Sequence, residues 1–100
     1  MKPVATYQKI RGGYYTPKPI ADFLARWAIQ TPTTKVLEPS CGDGILLESA
    51  IETLISLDAE KIDIKNLVQG IELDPQEAQK ASERIHALDD LQLAHIIVDP

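Results

Sequence analysis

Four carboxylates stand where a carboxylate can do binding chemistry: Glu38, Asp43, Glu72 and Asp99. The first two bracket Pro39-Ser40-Cys41-Gly42, and Gly44 follows at once, so residues 36–44 (VLEPSCGDG) read as a short buried strand running into a glycine-rich turn that opens a helix. That junction is where Rossmann-type folds bring backbone N–H groups against a nucleoside cofactor. Two acids in the turn would repel a pyrophosphate. They suit a ligand that carries an ammonium group and no phosphate. The dinucleotide pattern G-x-G-x-x-G is also incomplete, because Gly42 and Gly44 are followed by Leu47 where the third glycine belongs, which argues against an NAD site. Glu72 comes directly after the apolar run 67–71. The two oxygens of a carboxylate can accept both ribose hydroxyls at once, so an acid at the end of a second strand suits a nucleoside anchor.

S-adenosylmethionine meets that description: its amino acid end offers N–H donors and its sulfonium is positive. Residues 37–44, LEPSCGDG, resemble motif I of the adenine-specific (N6) DNA methyltransferases of restriction-modification and related phage-defence systems. Upstream, Gly12-Gly13-Tyr14-Tyr15-Thr16-Pro17 is similar to the family's motif X, and downstream Gly70-Ile71-Glu72-Leu73-Asp74-Pro75 is similar to motif II, whose acid takes the cofactor ribose. The order X, I, II is that of the classes that place cofactor binding ahead of catalysis. The resemblance covers the chain from about residue 11 onward.

The resemblance implies a Rossmann-like class I methyltransferase that uses S-adenosylmethionine, held by Tyr15, Thr16, Pro17, Glu38, Pro39, Ser40, Cys41, Gly42, Asp43, Gly44, Glu72, Leu73 and Asp99. Asp43 would lie beside the methionine part, and Thr16 would be the motif X contact. Asp99 has two readings. An acid after strand three in this family contacts the adenine amino group of the cofactor; alternatively, Asp99-Pro100 begins the catalytic Asp/Asn-Pro-Pro-Tyr/Phe element that follows strand four. Counting three strands before Asp99 favours the first. On either reading these residues lack the complete catalytic element, which in the family holds a flipped-out adenine for attack by N6, and are expected to be inactive alone. DNA would be contacted through regions outside this chain, with nuclease or specificity subunits as candidate partners. Two other readings share the nucleoside site: a methyltransferase acting on protein or RNA, and a non-catalytic nucleoside-binding domain.

Each of these residues also has a plainer role. Gly42 and Gly44 could make an ordinary tight turn, Asp43 could be the N-cap of the next helix, and Glu72 could be a solvated carboxylate. Cys41 reads as a small packing residue rather than a nucleophile, since no histidine is near it in sequence and methyl transfer to a base nitrogen needs no thiol. His86 and His95 read as surface or packing residues, and no His, Cys or acidic set has metal-ligand spacing.

The elements that must position this chemistry alternate. Thr16 is a candidate N-cap and Pro17 a first-turn residue for a helix over 17–29, whose apolar stripe Ile20, Phe23, Leu24, Trp27 and Ala28 is expected to cover the sheet. Strand one is read over 35–38, and a second helix from Gly44 with Leu46, Leu47, Ala50, Ile51 and Leu54 inward. Residues 58–66 read as a connecting loop and 67–73 as strand two. Asp74-Pro75-Gln76-Glu77 is a helix start with capping-box character, with Ala78, Ala81 and Ile85 inward; Asp89-Asp90 ends that helix and 91–98 reads as strand three. The β-α-β-α-β order, with right-handed crossovers, predicts an α/β fold with a three-stranded parallel sheet whose carboxyl ends, and their acids, share one edge.

A chain of 100 residues is about half of what a complete core of this type needs, so it reads as the cofactor-binding front part of one. Its net charge of −5, with ten scattered basic residues, speaks against a nucleic-acid-binding face here. One cysteine makes no internal disulfide, and no signal peptide or long apolar run is read, so no membrane partner and a soluble cytoplasmic protein are expected.

Overall fold

A computed structural model describes residues 15–88 and 95–97. Along the chain run α1 (Lys18–Ala28), β1 (Val36–Glu38), α2 (Ile45–Ser56), α3 (Lys61–Leu67), β2 (Val68–Ile71), α4 (Pro75–His86) and β3 (His95–Ile97). Strands β1 and β2 pair in parallel with Val36 opposite Val68 and Glu38 opposite Gly70, and β2 pairs in parallel with β3 with Gln69 opposite His95. The order β1-β2-β3 follows the sequence because each parallel step needs a crossover, and helices supply it. The fold is therefore α/β around a small parallel sheet.

Helix α2 forms the centre. Leu47, Ala50, Ile51 and Leu54 recur at helical spacing and are at most 4 % exposed. They meet Ile64, Val68, Ala81, Ile85, Ala25 and Ile29 in one core cluster. Leu46, expected on the same face, is only half-buried.

Helix α1 presents a different face from the one its apolar stripe predicts. Ala21, Ala25 and the following Ile29 are buried, whereas Ile20, Phe23, Leu24 and Trp27 are 42–69 % exposed. The reason lies in its neighbour. Lys18 and Asp22 share the alanine face at i, i+4 spacing, and both are engaged by α2: Lys18 Nζ bonds Asp22 and Glu52, and the buried Ser49 donates to Asp22 Oδ1 at 2.7 Å. Small residues bring the helices close, and the polar pairs set the rotation. The helix also starts one residue later than expected, with Pro17 rather than Thr16 at the N-cap and no side-chain cap bond.

A second departure is α3, which occupies most of the stretch read as a connecting loop. Its side chains are largely polar, but Ile64 is fully buried in the core cluster. One anchored apolar residue and tertiary contact suffice for a two-turn helix that propensity alone would not hold. Strand β2 is shorter than read, so Glu72 and Leu73 lie in the turn beyond it. Of the third strand, 95–97 is observed, and the remainder of 91–98 lies outside the described residues, as do Asp89-Asp90. Among the described residues no helix is long and apolar enough to cross a membrane.

Candidate functional site

Glu38 ends β1 in register with Gly70, and Glu72 follows two residues on, in the turn just beyond β2, so both acids lie at the carboxyl edge of the sheet. Between them the turn 39–44 folds back on β2. Cys41 N–H donates to the Ile71 carbonyl at 2.9 Å, and Gly44 N–H to the Cys41 carbonyl at 2.9 Å. Glu72 is 3 % exposed, and it joins the two turns: Oε1 accepts from Gly42 N–H at 2.9 Å and Oε2 from Asp74 N–H at 2.8 Å. It is a buried, hydrogen-bonded carboxylate and not a solvated one.

Both turn glycines have left-handed backbone, Gly42 at φ 54° and Gly44 at φ 88°, which side chains other than glycine's adopt at a cost. Their surroundings differ. A Cβ on Gly42 would meet nothing within 4 Å, whereas one on Gly44 would lie 2.9 Å from Cα and Cβ of Ala81. Gly44 thus serves the packing of α4 onto the turn, and Gly42 leaves open space beside half-buried backbone.

Asp43 is not the N-cap of α2; Gly44 holds that position. The Asp43 side chain still assists the helix start, Oδ1 accepting from Ile45 N–H at 3.3 Å. Its Oδ2 accepts from Arg84 Nη2 at 3.2 Å, and its backbone carbonyl accepts from Arg84 Nε at 3.0 Å. Sequence reasoning missed Arg84 altogether. The one available signal was its place three residues after Ala81 on an inward-facing stripe, which by itself does not mark a site residue.

Burial pushes the Glu38 carboxyl up from its ordinary value, against the opposing hydrogen bond from Ser40 N–H at 3.2 Å. Burial also pushes the Cys41 thiol up to about 12, with Glu72 and Glu38 adding to it. A thiol so protonated is a packing group, as its place in the core cluster indicates.

Tyr15 turns toward α4, its hydroxyl donating to Glu77 Oε1 at 2.8 Å, and Lys80 Nζ meets Glu77 Oε2 at 2.8 Å. Burial alone would raise the Glu77 carboxyl, but these two donors outweigh it and hold it below the usual carboxylate range. The expected capping box is accordingly only half made. Asp74 Oδ1 caps Gln76 N–H at 2.9 Å, while Asp74 N–H goes to Glu72 and Glu77 engages Tyr15 and Lys80.

The structure thus brings together Glu38, Ser40, Cys41, Gly42, Asp43, Gly44 and Glu72 at one sheet edge. Pro39 is exposed, Leu73 is 55 % exposed beside Glu72, Thr16 is half-buried, and the Pro17 carbonyl accepts from Ile20 and Ala21 N–H at the start of α1. Asp99 lies outside the described residues.

The model of the N-6 DNA methylase family matches residues 1–95. The chain belongs to that family. Among solved structures, a modification subunit of a type I restriction enzyme from Vibrio vulnificus superposes on 97 % of the chain with a TM-score of 0.69 at 20 % identity. A geranyl diphosphate methyltransferase, in complex with geranyl diphosphate and sinefungin, superposes on 81 % with a TM-score of 0.54 at 18 % identity. At these identities the likeness is one of fold. The chain spans 22 % of the length of the first and 27 % of the second. No curated protein matches it significantly.

Proposed function

We propose that these residues are the S-adenosylmethionine-binding part of a Rossmann-like class I methyltransferase that methylates adenine N6 in DNA. The observation that carries this reading is that Glu38 at the end of β1 and Glu72 just past the end of β2 share the carboxyl edge of adjacent parallel strands, with the left-handed Gly42 turn tied to Glu72 between them. Family membership supports the reaction, and a neighbour of the same fold holds sinefungin, an analogue of that cofactor.

The residues present fit the cofactor. The open space beside Gly42 admits a ligand against backbone, the acids suit its hydroxyls and ammonium, and nothing basic in the turn is set to receive a phosphate. Glu72 would take the ribose, Leu73 would offer apolar surface to the adenine, and Glu38, desolvated enough for its carboxyl to be raised, would face the ammonium. Thr16 and Asp99 join the site in this reading through motif X and the end of strand three. The cofactor would supply the electrophilic methyl; these residues orient it and keep water from its polar groups. The neighbouring modification subunit makes DNA the proposed substrate and a specificity subunit a proposed partner, in the cytoplasm.

Calorimetry on the intact protein should show binding of S-adenosylmethionine and of its demethylated product, and labelled methyl should pass to adenine in duplex DNA. Tighter binding of NAD would overturn the cofactor assignment. Transfer to RNA or protein with none to DNA would favour the substrate alternative.

A further inference from the structure

We propose that Arg84 is a positioning residue of this site, a two-pronged latch from α4 that fixes the cofactor turn and engages Asp43, leaving Glu38 as the carboxylate that meets the ligand's ammonium. The assignment rests on the cofactor reading above. One guanidinium holds the main chain and the side chain of the same turn residue, Nε on the Asp43 carbonyl at 3.0 Å and Nη2 on Asp43 Oδ2 at 3.2 Å. A third contact, Nη1 to Glu48 Oε1 at 3.5 Å, ties the same group to the first turn of α2. Only a planar fork with several N–H donors can make such a set; a lysine ammonium is a single point charge.

Two contacts reach this turn from α4, and a third on the same helix reaches Tyr15 upstream of it. Ala81, three residues before Arg84 and on the same helix face, sits so close to Gly44 that no Cβ fits between them. Glu77, two turns earlier, holds Tyr15. Arg84 completes the row at the far end. Asp43 has both oxygens engaged inside the protein, one by Ile45 N–H and one by Arg84. A carboxylate whose charge is already paired with a guanidinium is a poor partner for a ligand cation, whereas Glu38 makes its one described bond to the neutral amide of Ser40.

The test compares two ligands on the intact protein: S-adenosylhomocysteine, which carries the amino acid end, and 5′-methylthioadenosine, which lacks it. Arg84→Met should weaken S-adenosylhomocysteine by about tenfold, the scale of one charge-assisted hydrogen bond, and leave methylthioadenosine unchanged. In turnover the KM for the cofactor should rise while kcat at saturation holds. Arg84→Lys, which keeps the charge and loses the fork, should fall between the two and serves if the methionine variant fails to fold. Adding Asp43→Asn to Arg84→Met should cost nothing further, because the two act as a unit.

A merely structural role would lower the melting temperature with both ligand affinities unmoved, and that result overturns the latch. So does equal weakening of the two ligands, or an Arg84→Lys protein that matches the unsubstituted one. Failure of the unsubstituted protein to bind either ligand would instead bring down the cofactor reading itself, and the latch with it.

Discussion

Glu72 is the residue whose substitution should be most informative, because the structure gives it two tasks. At 3 % exposure it accepts from Gly42 N–H at 2.9 Å and Asp74 N–H at 2.8 Å, and it is also the proposed ribose anchor. Glutamine keeps one acceptor oxygen but must turn its NH2 toward the other amide, so one buried N–H loses its acceptor at a cost of about 1–3 kcal/mol of stability. Aspartate keeps the charge but is shorter by one methylene, roughly 1.5 Å, and cannot span both turns at once. Its cost should match that of glutamine. Alanine strands both amides and should cost about 2–5 kcal/mol, at the severe end for a single substitution. Urea unfolding of the intact protein reads this series. Calorimetry with S-adenosylhomocysteine on the folded variants reads the other task, with Glu72→Gln expected to weaken binding roughly 5- to 150-fold, equivalent to about 1–3 kcal/mol. An aspartate variant as stable as the unsubstituted protein would refute the two-amide bridge. Unchanged affinity in Glu72→Gln would refute the ribose assignment, whatever the stability shows.

Gly44→Ala should lose about 1–2 kcal/mol from its left-handed backbone and about 1–3 more from the collision with Ala81; adding Ala81→Gly should not rescue it, because the Ala81 Cα stays 2.9 Å from the new Cβ, and thermal melts of both variants check this. Cys41, buried and with its thiol pushed up to about 12, should react with a disulfide reagent at pH 8 only as fast as the domain opens, so prompt modification of the native protein would contradict its packing role. The clasp between Tyr15 and Glu77 should hold across a wide pH window. Glu77 is held below its ordinary 4.5, so its contribution is present above that value and fades as pH falls through the lowered one; Tyr15, raised above 10.0 by its bond to Glu77, loses its part only as pH climbs past that. Tyr15→Phe should abolish the acid-side dependence contributed by that bond, which a pH series of melting temperatures would reveal.

The strand-turn-helix junction was legible because every feature of it is local. An apolar run ending in one acid, then two glycines two positions apart with a second acid between them, specify a strand end and a tight left-handed turn whatever lies elsewhere in the chain. The same holds for α4, where Asp74 and Pro75 mark the start and Asp74 does cap Gln76 N–H. Glu72 was identifiable as the acid after an apolar run, and so as a strand-end group. What it grips was not, since Gly42 is thirty residues away in sequence.

Tertiary contact alone decided the rest. It buried the alanine face of α1 because Ser49 and Glu52 on α2 engage Asp22 and Lys18, and hydrophobic periodicity carries no record of a polar partner on another helix. It folded 61–67 into a helix because Ile64 finds a place in the core. It brought Arg84 to Asp43 across forty-one residues. Periodicity and turn chemistry report what a segment can form; the partners that select one face, or one rotamer, become near neighbours only when the crossovers close.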